Sequence, residues 1–299
     1  MAEPAGDAFR AGRSRPVVPK RVVLVTGASS GIGRETALRL ARDGFTVFGG
    51  VRRAADGEAL AQAAEGSLSP VLLDVTDESS IRSAAGAVSA AVGGGSFSLV
   101  NNAGIIVAGP LELLADSDLR RQFDVSFFGL LAVTRAFIPL IRESKGRIVL
   151  MGSMLGRLSA PFAAPYAAVK AAVGAVAEAL SLELRTWHVP VILVEPGKVS
   201  TPLWGRTKAS TIENLSALPP EKMERYRGPL ESFQRLTDRY AATGIPPSRV
   251  ARVVSRALSA RRPRLRYPVG FDSALIGAVV PLLPARLRQW SIARVTLHN

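Results

Sequence analysis

The chain has 299 residues, a hydrophobic content of 47% and a mean hydropathy of +0.20, so it contains ample apolar material for a sizeable core. It has no cysteine, which excludes disulfides, thiolate metal sites and cysteine nucleophiles and fits a reducing cytosol. The net charge of +14 would suit a nucleic-acid partner, but the basic residues are scattered and no nucleic-acid-binding motif is present. An arginine-rich surface is therefore the favoured interpretation, and we expect no nucleic-acid partner.

Short apolar runs alternate with longer helical patterns along the chain. The predicted strands are RVVLVT, FTVFGGV, SPVLLDV, FSLVNN, GRIVLMG and VPVILVEPG, and the longest helical patterns between them cover 117–142 and 163–187. Nearly continuous apolar strands that alternate with helices are typical of a parallel sheet covered on both faces. The sequence thus predicts an α/β fold, a Rossmann-type doubly wound parallel sheet in a single domain.

The same patterns set the expected boundaries. Residues 1–19 lack an apolar signal-peptide core and are expected to be a disordered lead-in. The catalytic domain is predicted over 20–270, with a helical lid at about 200–240 where polar helices and prolines replace the regular alternation. Residues 271–299 form an apolar and basic C-terminal extension.

The first strand leads directly into the glycine-rich segment TGASSGIG. Glycines between a strand and a helix let the backbone turn tightly and approach a pyrophosphate, which the helix N-terminus binds with its free N–H groups. The segment predicts dinucleotide contacts from Gly27, Ser29, Ser30, Gly31, Ile32 and Gly33. A plain glycine turn is the less favoured alternative.

Six motifs in this order resemble the short-chain dehydrogenase/reductase family, and they cover about 20–205. They are TGASSGIG, Asp74 in LLDVT, NNAG, Ser153, the pair Tyr166 and Lys170, and EPGKVSTP. The resemblance implies an NAD(P)-dependent oxidoreductase and further cofactor contacts from Asp74, Val75, Asn102, Ala103, Gly104, Tyr166, Lys170, Pro196, Gly197, Val199 and Thr201.

Tyr166 and Lys170 stand four residues apart, so both side chains lie on one face of the predicted helix. Hydride transfer to a carbonyl carbon leaves an oxyanion that needs a proton, and tyrosine can supply it if its pKa, near 10 in water, falls. A nearby ammonium lowers such a pKa, which is the expected effect of Lys170. In the family the lysine also binds the nicotinamide ribose, and Ser153 is expected to orient the substrate oxygen.

The segment FDVSFFG departs from the family pattern. The position that usually carries the fourth catalytic residue, an asparagine, is Ser126 here. Serine has one donor where asparagine has two, so we expect a slower or rewired proton relay. For the same reason a cofactor-binding sensor or scaffold without turnover is the alternative function.

Cofactor choice is predicted from the end of the second strand. NAD-dependent enzymes commonly place an acidic residue there, but this chain has Val51 followed by Arg52 and Arg53. Arginine pairs with a 2′-phosphate, which favours NADP(H), while NAD(H) stays a possible cofactor and a solvated arginine pair is the alternative. No metal site is expected, since the only histidines are His188 and His298.

The predicted substrate pocket is apolar. Its expected lining is Ser153, Met154, Leu155, Phe162, Tyr166, Leu203 and Trp204, with Val199 beside them. Within the family, GRLSAPFAAPYAAVK and VEPGKVSTPLW resemble the branch of 17β-hydroxysteroid, retinol and 3-hydroxybutyrate dehydrogenases. The resemblance and the apolar lining together imply a steroid- or retinoid-like alcohol or carbonyl, although that branch also takes small polar substrates.

Partners and location complete the expectations. Two of the predicted helices are apolar on more than one face, which indicates a homodimer or homotetramer. The protein is expected to be cytoplasmic. The C-terminal stretch ALIGAVVPLLPARL is too short to span a bilayer but could rest on a membrane surface, cover a pocket or belong to the core.

Overall fold

The computed structural model describes residues 20–205, 207, 209 and 220–297; the predicted lead-in at 1–19, part of the lid and His298 lie outside this range. Seven strands form one sheet: β1 (Arg21–Val25), β2 (Thr46–Val51), β3 (Leu68–Leu72), β4 (Ser96–Asn101), β5 (Ile148–Met151), β6 (Val191–Pro196) and β7 (Arg266–Val269). Their order is β3-β2-β1-β4-β5-β6-β7 and every pairing is parallel. This confirms the doubly wound sheet.

Ten α-helices have both of their ends in the described residues, and residues 202–205 are helical as well. The ten helices are α1 (Gly31–Arg42), α2 (Ala54–Gln62), α3 (Glu78–Val92), α4 (Asp116–Phe123), α5 (Gly129–Glu143), α6 (Ala164–Glu183), α7 (Pro220–Thr243), α8 (Pro247–Ser259), α9 (Phe271–Val279) and α10 (Ala285–Leu297). The helix predicted at 117–142 is divided, because one π-helical turn, Asp124–Phe128, joins α4 to α5. The helix predicted at 163–187 ends its α-helical part at Glu183 and continues as a short 3₁₀ turn.

The core has two halves, one on each face of the sheet. Side chains of α3, α5 and α6 cover one face, around the stacked rings of Phe97 and Phe137. Side chains of α1, α2 and α8 cover the other face, around Leu40, Val47 and Val254. The strands are consequently apolar on both faces, which explains the continuous apolar runs in the sequence.

One helical run, Asp116–Glu143, has the length and composition of a membrane span, with a mean hydropathy of 1.6. Its side chains Val133, Phe137 and Ile141 are fully buried in the core that it forms with the sheet. We therefore interpret it as a core helix.

The sheet order reverses between β1 and β4. In open α/β sheets the crevice at such a reversal, outside the carboxyl ends of the strands, is where ligands bind. The glycine-rich turn follows β1 and the NNAG segment follows β4, so the topology places both at this crevice.

The C-terminal extension is attached to this same edge. Asp272 accepts a hydrogen bond from the backbone N–H of Lys198 (2.8 Å), and the hydroxyl of Ser273 donates to the backbone oxygen of Glu195 (2.7 Å). Helix α9, at the start of the predicted extension, therefore packs beside the loop that follows β6.

Candidate active site

A cleft of about 430 Å³ lies over the carboxyl ends of β1, β4, β5 and β6. The residues that line it come from every predicted motif. From the cofactor prediction it contains Gly27, Ser29, Ser30, Gly31, Ile32, Gly33, Arg52, Asp74, Val75, Asn102, Ala103, Gly104, Tyr166, Lys170, Pro196, Gly197, Val199 and Thr201. The structure thus brings together segments that lie up to about 170 positions apart in the sequence.

The glycine-rich turn leaves no room for side chains where the backbone is closest. Gly27 has φ = 64°, and a Cβ there would lie 2.8 Å from Cα of Ala103. A Cβ on Gly33 would lie 2.2 Å from the backbone oxygen of Gly27. The first turn of α1 carries no acidic residue, so its N–H groups face the cleft without a competing anion. The turn fits the phosphates of a dinucleotide.

The NNAG segment is fixed to this turn by side chains. The hydroxyl of Thr26 accepts hydrogen bonds from the N–H groups of Asn102 and Ala103, both at 2.9 Å. The amide of Asn102 donates in return to the backbone oxygens of Thr26 (3.0 Å) and Gly27 (3.2 Å). The cofactor floor is therefore preorganised, and Thr26 is a supporting residue that sequence reasoning did not single out.

Ser153, Tyr166 and Lys170 meet at the centre of the cleft. Ser153 follows β5 and precedes the 3₁₀ turn Met154–Gly156. Its hydroxyl accepts a hydrogen bond from the N–H of Leu155 (3.2 Å), and its side chain is also hydrogen-bonded to Tyr166. Tyr166 stands in the first turn of α6, where Pro165 suits a helix start. One turn later, Nζ of Lys170 lies 5.7 Å from the centre of the tyrosine ring and donates to the backbone oxygen of Met151 (2.6 Å).

Burial controls the protonation of this pair. Withdrawal from water raises the pKa of Tyr166, and the hydrogen bond from Ser153 opposes the rise only in part. Burial also lowers the pKa of Lys170 from 10.5 to about 8. The lowering of the Tyr166 pKa expected from Lys170 does not appear in this structure, where burial sets the direction of the shift.

Ser126 lies in the π-helical turn and is 1% exposed. Its hydroxyl accepts hydrogen bonds from the N–H of Ile105 (3.0 Å) and from Nε2 of Gln122 (3.1 Å), and it has a long contact with the backbone oxygen of Ile105 (3.5 Å). These contacts use both of its acceptor positions and its one donor. The hydroxyl fixes the loop after NNAG and has no position left for a bridging water.

Gln122 completes that network and was missed by sequence reasoning. It is fully buried, accepts from the N–H of Val107 (2.7 Å) and donates to the backbone oxygen of Ile105 (3.1 Å). Ile105 and Ile106 line the cleft. A glutamine in a predicted helix carries no local signal of such a role, because its partners lie about 15 residues away in a loop.

The two arginines after β2 differ in their surroundings. Arg52 lines the cleft. Arg53 makes two hydrogen bonds to the carboxylate of Asp56, at 2.7 and 2.9 Å, within the start of α2. Arg53 is not among the lining residues, so its predicted cofactor contact is corrected: the ion pair with Asp56 takes up its guanidinium.

The substrate end of the cleft is largely apolar. Of the predicted lining, Ser153, Met154, Leu155, Tyr166, Leu203 and Trp204 are present, and Ile106, Val125 and Tyr240 are additional. The indole N–H of Trp204 donates to the backbone oxygen of Val199 (2.8 Å), so this residue offers the cleft an apolar ring face and no free donor. Phe162 is a correction, since it is absent from the lining and packs edge-on against Phe233 at 5.7 Å.

Among the residues that the structure describes, no group of three His, Asp or Glu side chains is placed to hold a metal ion. Glu195 is 3% exposed and forms ion pairs with Arg157 and Arg266. Its role in the structure is to join β6 to its neighbours.

Comparison with known proteins agrees with the motifs. The family model described as short chain dehydrogenase matches residues 21–211. Retinol dehydrogenase 5 of Mus musculus is 33% identical over 291 residues, which cover 95% of this chain and 87% of that protein. The NADPH-dependent 3-dehydrocapnine reductase of Ornithobacterium rhinotracheale is 30% identical over 273 residues, or 89% and 94% of the two chains.

Solved structures show the same architecture. A short-chain dehydrogenase from Streptomyces avermitilis superposes with a TM-score of 0.72 at 30% identity, covering 91% of this chain and 96% of that one. Actinorhodin polyketide ketoreductase with NADPH superposes with a TM-score of 0.67 at 30% identity, covering 84% and 95%.

Proposed function

Because this chain belongs to the short-chain dehydrogenase/reductase family and is an NAD(P)-dependent oxidoreductase of alcohols and carbonyl compounds, we propose that it prefers NADP(H) and a lipophilic, steroid- or retinoid-like substrate. The observation that carries the proposal is the cleft itself. It places Ser153, Tyr166 and Lys170 between a glycine-lined phosphate floor and an apolar end.

The proton chemistry belongs to Tyr166. A bound nicotinamide supplies or accepts the hydride, and the chain must handle the proton that accompanies it. Because burial raises the pKa of Tyr166, its hydroxyl is protonated at neutral pH and can donate to the substrate oxygen. Ser153, hydrogen-bonded to that hydroxyl, is placed to hold the same oxygen.

This protonation state favours carbonyl reduction at neutral pH. Alcohol oxidation needs the deprotonated tyrosine, whose fraction grows as the pH rises. We expect the oxidation rate to increase continuously from pH 7 into the alkaline range while the reduction rate does not. Initial rates in both directions across this range are the measurement. An oxidation rate that is already level at pH 7 would show a tyrosine with a lowered pKa instead.

The preference for NADP(H) is assigned to Arg52. Its guanidinium lines the cleft beyond β2, where an acidic residue would bind the ribose of NAD. One similar protein is named as NADPH-dependent, and one similar solved structure was determined with NADPH, which supports the same preference.

Adjacent arginines give this assignment a matched control. Arg52→Ala should raise the KM for NADPH at least about tenfold and leave that for NADH nearly unchanged, since a charge-assisted pair contributes roughly 1.5–3 kcal/mol. Arg53→Ala should change neither constant by more than about twofold, because Arg53 is paired with Asp56 on an exposed surface. Equal effects of the two substitutions would remove the assignment.

The substrate class follows from the apolar end of the cleft. Met154, Leu155, Leu203 and the ring of Trp204 offer large apolar contacts and few polar anchors. Turnover should be highest with steroid or retinoid carbonyls and low with short polar ketones. Trp204→Ala should lower kcat/KM for the lipophilic substrates at least about tenfold and leave short ketones almost unaffected. A preference for short polar ketones would contradict the proposed class.

A homo-oligomer is part of the proposal, as is a cytoplasmic location. The outer face of α6 presents small or apolar exposed residues over several turns: Ala164, Ala168, Ala171, Ala175, Ala179 and Leu182. A helix that is apolar on both sides is buried on both sides. Light scattering should give a dimer or tetramer, and Ala171→Glu should dissociate it.

A further inference from the structure

The C-terminal helices expose an unusual concentration of apolar side chains. Six of the eleven exposed large apolar side chains in the described part of the chain fall within twenty residues. We define them as the docking surface: Phe271, Leu275, Val279, Leu282, Leu287 and Trp290. Phe271 is 82% exposed and Leu282 81% exposed, so this apolar surface is in full contact with water in the isolated chain.

The orientation of α9 is fixed by its polar side. Ser273, which is 2% exposed, and Asp272 hold it to the loop after β6, and Nη1 of Arg157 donates to the backbone oxygen of Gly277 (3.3 Å). Phe271, Leu275 and Val279 follow at intervals of four and form one outward stripe. An ordinary surface helix has the opposite arrangement, with its apolar side inward.

The segment that carries the docking surface has a net positive charge. Residues 271–294 contain three arginines and a single acidic residue, Asp272, whose carboxylate is engaged by backbone N–H groups. Arg286 and Arg294 are exposed on α10, the helix that carries Leu287 and Trp290, and the guanidinium of Arg294 lies 5.4 Å from the centre of the Trp290 ring. Apolar side chains with a rim of arginine are complementary to the acyl chains and anionic headgroups of a lipid surface.

From this arrangement we propose that the docking surface binds the surface of an anionic bilayer. Helix α9 and the 3₁₀ turn after it, Phe271–Leu282, have a length of about 18 Å, well short of the roughly 30 Å of hydrocarbon that a spanning helix crosses. The segment therefore lies in the interface and does not span it. A second copy of the chain fits less well, because a two-fold contact would set these arginines against the same arginines.

The docking surface is adjacent to the cleft. Helix α9 packs on the turn Met154–Gly156, whose Met154 lines the cleft, and α10 packs on α7, which carries the lining residue Tyr240. Docking would place the apolar end of the cleft near the bilayer. The membrane contact does not depend on the proposed substrate, and its test needs no turnover.

Co-sedimentation of the full chain with vesicles tests the proposal. Vesicles of phosphatidylcholine with phosphatidylserine should bind the protein at least about tenfold more tightly than vesicles of phosphatidylcholine alone. Phe271→Ser with Leu282→Ser should weaken this binding at least about tenfold, whereas Leu72→Ser with Leu111→Ser, two exposed leucines elsewhere, should not. Thermal unfolding of both double variants checks that they are folded.

A charge-matched pair separates docking from general attraction of a basic protein. Arg286→Glu with Arg294→Glu should reduce binding strongly, and Arg120→Glu with Arg185→Glu, which changes the net charge equally, should reduce it much less. Tryptophan emission gives a second readout: vesicles should shift it to the blue in Trp187→Phe but not in Trp290→Phe. Equal binding of each variant and its control would overturn the proposal. The proposal would also be overturned if the protein did not bind vesicles and instead formed a concentration-dependent dimer that Leu282→Ser abolished.

Discussion

Lys170 is a charged side chain kept inside the protein at a cost in stability. Its pKa falls from 10.5 to about 8, so below pH 8 the folded chain holds a buried ammonium that water would solvate better. Between pH 8 and 10.5 the unfolded chain binds more protons than the folded one, and stability therefore rises with pH in this window. A residue that reduces stability in this way is typical of a functional site.

Replacement of this lysine should therefore stabilise the fold and abolish activity. Lys170→Met should increase the free energy of unfolding at pH 7, on the order of 1–3 kcal/mol, and the gain should shrink above pH 8. Denaturant unfolding at pH 7 and pH 10 measures both values. A variant less stable than the wild type at pH 7 would show that the bond to the oxygen of Met151 outweighs desolvation.

Glu195 is also a buried charge, but a compensated one. It is 3% exposed, with two hydrogen bonds from Arg157 at 2.8 Å and one from Arg266 at 2.7 Å, and the pair with Glu195 raises the pKa of Arg157. Glu195→Gln should cost about 3–5 kcal/mol, because two arginines lose their carboxylate. Glu178→Gln, whose carboxylate pairs with Arg266 while 56% exposed, should cost less than about 1 kcal/mol. Denaturant unfolding measures both losses in the free energy of unfolding. A larger loss for Glu178→Gln than for Glu195→Gln would contradict this account.

At the scale of elements, the β1–α1 turn must approach the NNAG segment closely. Gly33→Ala would place a methyl group 2.2 Å from a backbone oxygen, and we expect loss of measurable NADPH binding together with lower stability. Gly86→Ala, in α3, meets nothing within 4 Å and should gain up to about 1 kcal/mol. Cofactor fluorescence titration and thermal unfolding report the two effects. Wild-type affinity in Gly33→Ala would exclude this turn as the phosphate site.

Two side chains hold the loop of Ile105 by hydrogen bonds: Gln122 near the end of α4 and Ser126 in the π-helical turn that follows. Gln122→Ala should destabilise the protein by about 2–3 kcal/mol, since the N–H of Val107 loses its acceptor and the oxygen of Ile105 a donor. The exposed Gln62→Ala in α2 should be nearly neutral. Urea unfolding of the two variants is the comparison. Equal stabilities would mean that water replaces the side chain at this buried site.

Ser126 acts in the same network. Ser126→Ala should lower stability by about 1–2 kcal/mol and leave the shape of the pH–rate profile unchanged, because the hydroxyl is committed to Gln122 and Ile105. A changed profile with unchanged stability would instead place Ser126 in the proton relay, as the family position suggests.

At the scale of the whole molecule, the sequence predicted those features that depend on residues close together in the chain. Apolar runs indicated six of the seven strands. The order of the motifs predicted that Tyr166, Lys170 and the glycine turn belong to one site. The strand β7 was missed because Arg266 and Pro268 remove its apolar signal, as an edge position allows. The corrections at Arg53 and Phe162, and the role of Gln122 that the sequence did not indicate, concern side-chain partners, which depend on tertiary packing that no local pattern contains.

Turnover by wild type and Tyr166→Phe, compared at equal occupancy by NADPH, tests the central claim most directly. The account predicts that the wild type consumes NADPH with a steroid or retinoid carbonyl, and that the variant binds NADPH as tightly but loses at least about a hundredfold in kcat, the usual contribution of a general acid. Tight NADPH binding with the same negligible turnover in both proteins would contradict the account and leave a cofactor-binding sensor or scaffold.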